Sequence, residues 1–263
     1  MSIPEYEVYA LRYGSVERHA KSNFLFGGDF HDGPMALDFY IWAIRGNGRV
    51  VVVDTGFSEA TAAKRNRVIE SNPVDILAKI GIDAAAVPDV IITHLHFDHA
   101  GNAEAFRKAT FHIQDTEVSL STGRYMCHQA ISHSYEVDDV VGLIRNVFAG
   151  RVRFHDGDGT IAPGITVHKI GGHTGGLQVV RVNTARGWIV LASDATHYYD
   201  NIASGNPFPI IHHVGDVLEG FRKLNDLARS PDHIVPGHDP KVLARYPNHP
   251  AGDIACLHLN PRL

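Results

Sequence analysis

Three imidazoles and a carboxylate lie within six residues in the run Thr93-His94-Leu95-His96-Phe97-Asp98-His99-Ala100-Gly101. Neutral imidazole is a borderline donor that suits zinc, and a carboxylate serves the same ion. Crowding four such groups without basic neighbours makes physical sense mainly when a cation compensates them. His94 and His96, two residues apart, can point at one ion, while Asp98 and His99 turn toward a second ion beside it. The competing reading is a histidine-rich surface loop, since the chain holds 18 histidines and short motifs recur by chance.

More candidate ligands follow downstream. Gly171-Gly172-His173-Thr174-Gly175-Gly176 sets His173 in a glycine-rich turn after the strand-like run from Ile165 to Ile170. The apolar run from Trp188 to Ser193 delivers Asp194, and the run from His233 to Pro236 leads through Gly237 to His238. Each is weak alone, because a histidine in a turn is usually solvated and an Asp after a strand is often a turn former. Together they place donors at the C-terminal ends of apolar runs, where ligand sites of layered α/β proteins gather. The segment from Val87 to Thr93 has the same β-branched, buried-strand character, so the His94–His99 cluster leaves a strand end on a loop.

The order His-x-His-x-Asp-His, a Gly-His turn, an Asp and a late Gly-His resembles the metallo-β-lactamase superfamily. That resemblance implies an α/β fold, a four-layer αββα sandwich, with a dinuclear zinc centre between its sheets and thus two Zn²⁺ per chain. It would give His94, His96 and His173 to the first ion, Asp98, His99 and His238 to the second, and Asp194 to both. Val53-Asp54-Thr55-Gly56 matches the superfamily's early strand-turn element, in which the Asp supports a ligand. Within the superfamily the chain is most similar to N-acyl-homoserine lactonases, through His94 to Asn102, Ala103-Glu104-Ala105-Phe106, Asp194-Ala195, Gly237-His238-Asp239 and Tyr246-Pro247. The likeness runs in order from about Tyr6 to Pro247. One departure stands out: that family commonly has a carbonyl-assisting tyrosine three residues after the bridging Asp, and here the position is His197, followed by Tyr198 and Tyr199. Either His197 or a shifted Tyr198 is the candidate for that role.

Two adjacent cations imply a reaction. Metal-bound water has its pKa lowered from about 16 to about 7, so a hydroxide between the ions can attack an acyl carbon at neutral pH. Asp98 beside the attack site is the candidate for passing a proton to the leaving group. The expected reaction is hydrolysis of a small-molecule lactone, with amide, lactam or thioester behind it. No Gly-x-Ser-x-Gly elbow offers a serine mechanism. A glyoxalase II-like thioesterase would carry a further basic C-terminal region, and little sequence follows His238. A mononuclear iron persulfide dioxygenase has no use for Asp98, His99 and His238 together. A non-catalytic metal-binding protein would be marked by a lost ligand.

Composition narrows the setting. The 263 residues suit one domain spanning 1–263, large enough to bury a full core. A net charge of −5 and the lack of any Lys/Arg-rich run argue against nucleic acid. The N-terminus from Met1 to Glu7 lacks the basic and apolar regions of a secretory leader. No stretch approaches the roughly 20 apolar residues of a membrane span, so the expectation is a cytoplasmic protein without a membrane partner. A homo-oligomer is left open. Cys127 and Cys256 form no Cys-x-x-Cys motif and read as inert thiols.

The elements that must position these groups are partly legible. Phe39–Arg45 and Arg49–Asp54 flank Gly46-Asn47-Gly48 as a hairpin. Asp216–Arg229 reads as a helix with Leu218, Phe221, Leu224, Leu227 and Ala228 on one face, ended by Ser230-Pro231. Tyr135–Phe148 keeps amphipathic spacing through Val137, Val140, Val141, Ile144, Val147 and Phe148, as a lid, a dimer contact or a core-packed helix. Phe24, Phe26, Phe30, Phe57 and Phe208 are candidates for an apolar pocket wall.

Overall fold

Alternation along the strands sorts side chains into three apolar layers. In Glu7–Val16 (β1), Val8 and Ala10 point to one core while Tyr9 and Leu11 point to another. In Leu37–Gly46 (β2), Tyr40, Trp42 and Ile44 join the first, and Phe39, Ile41 and Ala43 the second. This is the period of two that a sheet buried on both faces requires. Arg49–Val53 (β3) pairs with β2 across a turn that closes on two residues, Asn47 and Gly48, both with positive φ, which matches the twist of a tight hairpin. The computed structural model describes residues 3–27 and 32–262, so Met1, Ser2 and Phe30 lie outside the described residues.

The remaining strands are Val68–Ile69 (β4), Asp89–Ile91 (β5), Thr110–Gln114 (β6), Val152–His155 (β7), Gly159–Ala162 (β8), Ile165–Lys169 (β9), Gln178–Thr184 (β10), Gly187–Ser193 (β11), Ile234–Pro236 (β12) and Ile254–Cys256 (β13). One sheet runs β13-β1-β2-β3-β5-β6-β7 with β4 on β1, and the other runs β12-β11-β10-β9-β8. Between them lies the core of Val8, Tyr40, Trp42, Val51 and Val53 against Val167, Val180, Val182, Ile189 and Leu191. Helices cover the outer face of each sheet, giving the four-layer αββα sandwich.

The helix expected at Asp216–Arg229 spans Val214–Leu227. Its buried face is Val217, Gly220, Phe221 and Leu224; Leu218 is 37% exposed, one position off the stripe. The Tyr135–Phe148 segment forms a helix over Val137–Phe148 that buries Val140 and Leu143 and exposes Val137, Val141 and Phe148. The apolar residues form one broad stripe, and only its edge at Val140 and Leu143 is packed against the core, a choice that spacing alone does not make. No helix among the described residues is long and apolar enough to cross a membrane.

Candidate metal centre

Strand ends deliver the donors. β5 stops at Ile91, and Thr93 through His96 lead into a single helical turn, Phe97–Ala100, that carries Asp98 and His99. The expected loop therefore contains a helical turn, which swings Asp98 and His99 away from His94 and His96. His173 sits in the turn after β9, Asp194 directly after β11, and His238 two residues past β12. His94, His96, His173 and Asp194 form one group of close donor atoms, and Asp98, His99 and His238 form a second, all of them buried.

Asp194 faces both groups. Its Oδ2 lies 3.1 Å from His173 Nε2 and 3.8 Å from His94 Nε2, whereas its Oδ1 lies 3.0 Å from His238 Nε2 and 3.3 Å from His99 Nε2. Burial alone would raise the Asp194 carboxyl, but His238, His197, His99 and His173 together hold it well below the usual range. Asp98 Oδ2 is 3.6 Å from His99 Nε2 and 3.8 Å from His238 Nε2. His96 Nδ1 and His173 Nε2 are 2.9 Å apart.

These groups fit a cation. Nε2 of His94 and Nε2 of His99 are fully buried and make no hydrogen bond, despite their nearness to Asp194. Buried polar atoms without partners are rare and call for an explanation. Nitrogen and oxygen donors converging from several elements are what a borderline metal ion takes, and an ion would satisfy both orphaned nitrogens. Burial, followed by the charge of His99, keeps His94 neutral and therefore fit to donate a lone pair.

A surrounding layer orients the imidazoles. His99 Nδ1 is 2.8 Å from Asp54 Oδ2, and His238 Nδ1 donates to the Asp38 carbonyl at 2.8 Å, so each turns Nε2 inward. Asp54 also accepts from Thr93 through its backbone N–H at 2.7 Å and its hydroxyl at 2.8 Å. Asp54 and Ser193 both hold positive φ, the kind of strain that collects at functional sites. Gly237 allows the strand ends to meet, because a Cβ there would lie 2.7 Å from the Ser193 backbone.

Glu117 is a supporting residue that sequence reasoning missed. Fully buried, its carboxylate accepts from Leu95 N at 2.9 Å, Thr174 Oγ1 at 2.6 Å and Gly176 N at 3.0 Å, tying the His94–His99 segment to the His173 turn. Burial raises its carboxyl above the ordinary value against these hydrogen bonds. Gly176 must be glycine, since a Cβ would come within 2.2 Å of Glu117 N. A lone Glu in a helix carries no sequence signal; the second glycine of the Gly175-Gly176 pair was the only trace.

His197 and Tyr198 part company. His197 is buried at the cleft floor, its Nε2 3.1 Å from Asp194 Oδ2 and its ring stacked on Phe208 at 3.8 Å. Burial lowers its pKa to about 3, so the ring is neutral. Tyr198 turns the other way: its hydroxyl donates to the Ala36 carbonyl at 3.2 Å and its ring belongs to the core outside the first sheet. Successive residues in extended backbone point to opposite sides, so the shifted tyrosine cannot replace His197 at the cleft. Of the candidate wall residues, Phe208 lines the cleft, Phe57 packs against Tyr13 and Phe39 in the core, Phe24 is buried and Phe26 is half exposed.

The metallo-β-lactamase superfamily model matches residues 40–239. This chain belongs to the metallo-β-lactamase superfamily. The two-sheet sandwich and the His/Asp cluster at its strand ends are those of a metal-binding member of that superfamily. Curated relatives include an N-acyl homoserine lactonase of Bacillus sp, 25% identical over 191 residues, covering 65% of this chain and 70% of the relative. The N-acyl homoserine lactonase of Bacillus thuringiensis is 28% identical over 179 residues, covering 65% of this chain but only 63% of its own length. A solved quorum-quenching N-acyl homoserine lactone lactonase superposes with a TM-score of 0.75 at 22% identity, covering 92% of this chain and 95% of that one. AidC, described as a dizinc quorum-quenching lactonase, superposes with a TM-score of 0.69 at 16% identity, covering 91% and 90%. These superpositions show the shared sandwich.

Proposed function

We propose that this superfamily member hydrolyses a lactone with two zinc ions, the first held by His94, His96 and His173, the second by Asp98, His99 and His238, with Asp194 shared. The observation that carries the reading is the two-sided carboxylate of Asp194, with one oxygen toward each histidine group. The lactonase names of the curated relatives support the substrate class.

When bound, the metal pair supplies Lewis-acid polarisation of the acyl oxygen and water activation at neutral pH. The chain's own residues do the rest. Asp54 and the Asp38 carbonyl fix the His99 and His238 rings. Asp98, at the cleft wall, is placed to hand a proton to the leaving alkoxide as the ring opens. His197 keeps a neutral ring beside the acyl site, and its Nε2–H either orients Asp194 or donates to the substrate carbonyl. Phe208 shields that ring from water on one face.

The test is elemental analysis of the purified protein together with a panel of lactones, β-lactams, cyclic amides and glutathione thioesters. Two zinc ions per chain and fastest turnover on a lactone are expected. A single iron would overturn the dinuclear reading, and fastest turnover on a thioester would overturn the lactone assignment.

A further inference from the structure

Two arginines line the cleft of the metal centre without a carboxylate partner among the described residues. Asp98, Asp194, His197 and Phe208 line the same cleft as Arg18 and Arg67. Arg18 donates through Nε to Asn23 Oδ1 at 2.6 Å and through Nη2 to the Ser22 carbonyl at 2.7 Å, which fixes the guanidinium plane and leaves Nη1 unclaimed. Its Cζ lies 5.0 Å from the centre of the Phe208 ring, whose stacking partner is His197. Among the described residues Arg67 reaches only the carbonyls of its own turn, Arg65 at 3.3 Å and Asn66 at 3.5 Å, and its buried Nε has no hydrogen-bond partner there.

Neighbouring cations behave differently. Lys64 and Arg65 share the Glu136 carboxylate, each at 2.6 Å. Among the described residues no carboxylate pairs with Arg18 or Arg67. The two acids of the cleft are committed elsewhere, Asp194 to the imidazoles around it and Asp98 toward His99 and His238. Burial first, and the charge of Arg67 after it, press the Arg18 guanidinium below its ordinary value against the pull of Tyr198. Half-buried guanidiniums lining one cleft are stabilised by an anion in the ligand, and the planar fork suits a carboxylate.

We propose that Arg18 and Arg67 form an anion subsite, and that the substrate is a lactone bearing a carboxylate away from its scissile bond. This rests on the hydrolase reading above and narrows it. The carboxylate seats on the two guanidiniums while Phe39, Phe97 and Phe208 enclose the carbons between it and the acyl group. N-acyl homoserine lactones, the compounds named for the relatives, carry no charge and would leave both arginines unanswered.

Two arms test this. Calorimetry with benzenesulfonate, a monoanion that ligates metals poorly, reads the subsite without turnover; turnover of paired lactones differing only in a carboxylate or its methyl ester reads the preference. The parent is expected to bind the sulfonate and to favour the acid over the ester by roughly tenfold or more in kcat/KM. Arg18→Gln and Arg67→Gln should each weaken sulfonate binding about tenfold and bring the acid-to-ester ratio toward one, Arg18→Lys should recover part of both, and Arg222→Gln on the far helix should change neither. Acid and ester turned over alike, with no sulfonate bound, would overturn the subsite and leave the hydrolase reading standing. Sulfonate bound and lost in the variants, with no lactone opened, would keep the subsite and overturn the hydrolase reading.

Discussion

Asp54 and His99 are joined in the sealed interior, Oδ2 to Nδ1 at 2.8 Å, and neither is more than 1% exposed. The pair spans two strand ends, so the metal-facing nitrogen of His99 is set by a residue of the preceding parallel strand. Burial would lower the His99 pKa, yet Asp98, Asp194 and Asp54 hold it well above the ordinary value. Asp54→Asn keeps the shape but removes the charge. It should weaken metal at the second position about 10- to 100-fold, measured by titration against a chelator; unchanged affinity would detach Asp54 from the centre.

The shared carboxylate gives a second prediction. Asp194→Asn should reduce retention of both ions, whereas His238→Ala should chiefly empty the position of Asp98 and His99. Elemental analysis after dialysis reads the stoichiometry, and a variant that keeps two ions with full turnover would refute the ligand assignment.

Glu117 should matter for stability and for turnover together. Glu117→Ala strands Leu95 N, Thr174 Oγ1 and Gly176 N, and is expected to lower unfolding free energy by about 2–4 kcal/mol. Glu117→Gln keeps two acceptor contacts at most, so a smaller loss is expected. Denaturant unfolding beside a lactone assay checks both, and an Ala variant as stable as the parent contradicts the role.

His197→Phe keeps the stack on Phe208 and deletes the nitrogen at Asp194, so turnover should fall about 10- to 1,000-fold with metals retained. Tyr198→Phe loses only the bond to the Ala36 carbonyl, about 1 kcal/mol of stability. If turnover collapses in the Tyr198 variant instead, the two roles are reversed.

Asp139 gives a pH signature far from the centre. Burial, then repulsion by Glu136, Glu104 and Asp138, lifts its carboxyl to about 7, and its Oδ2 is buried without a hydrogen-bond partner. The folded state thus holds the proton more tightly than the unfolded one. Its penalty is absent below the unfolded value of about 4, grows as pH rises to about 7, and is constant above. Asp139→Asn should add roughly 1–2 kcal/mol at pH 8, allowing for solvent screening of its exposed part, and little at pH 4. Equal gains at both pH values would remove the titration.

By itself the sequence determined seven candidate ligands and the hairpin at Gly46-Asn47-Gly48, because metal ligands need particular side chains and tight turns need particular residues, while the sandwich followed from the family resemblance those ligands carry. Only the tertiary structure decided that His197 and not Tyr198 faces the cleft, since adjacent candidates in extended backbone differ in direction. It also decided which part of the apolar stripe of Val137–Phe148 is buried, because the stripe is broader than the contact and packing chooses its edge at Val140 and Leu143. Glu117, Arg18 and Arg67 stayed hidden for another reason: a carboxylate or guanidinium is ordinary on a surface, and it gains meaning only when folding places it against particular neighbours.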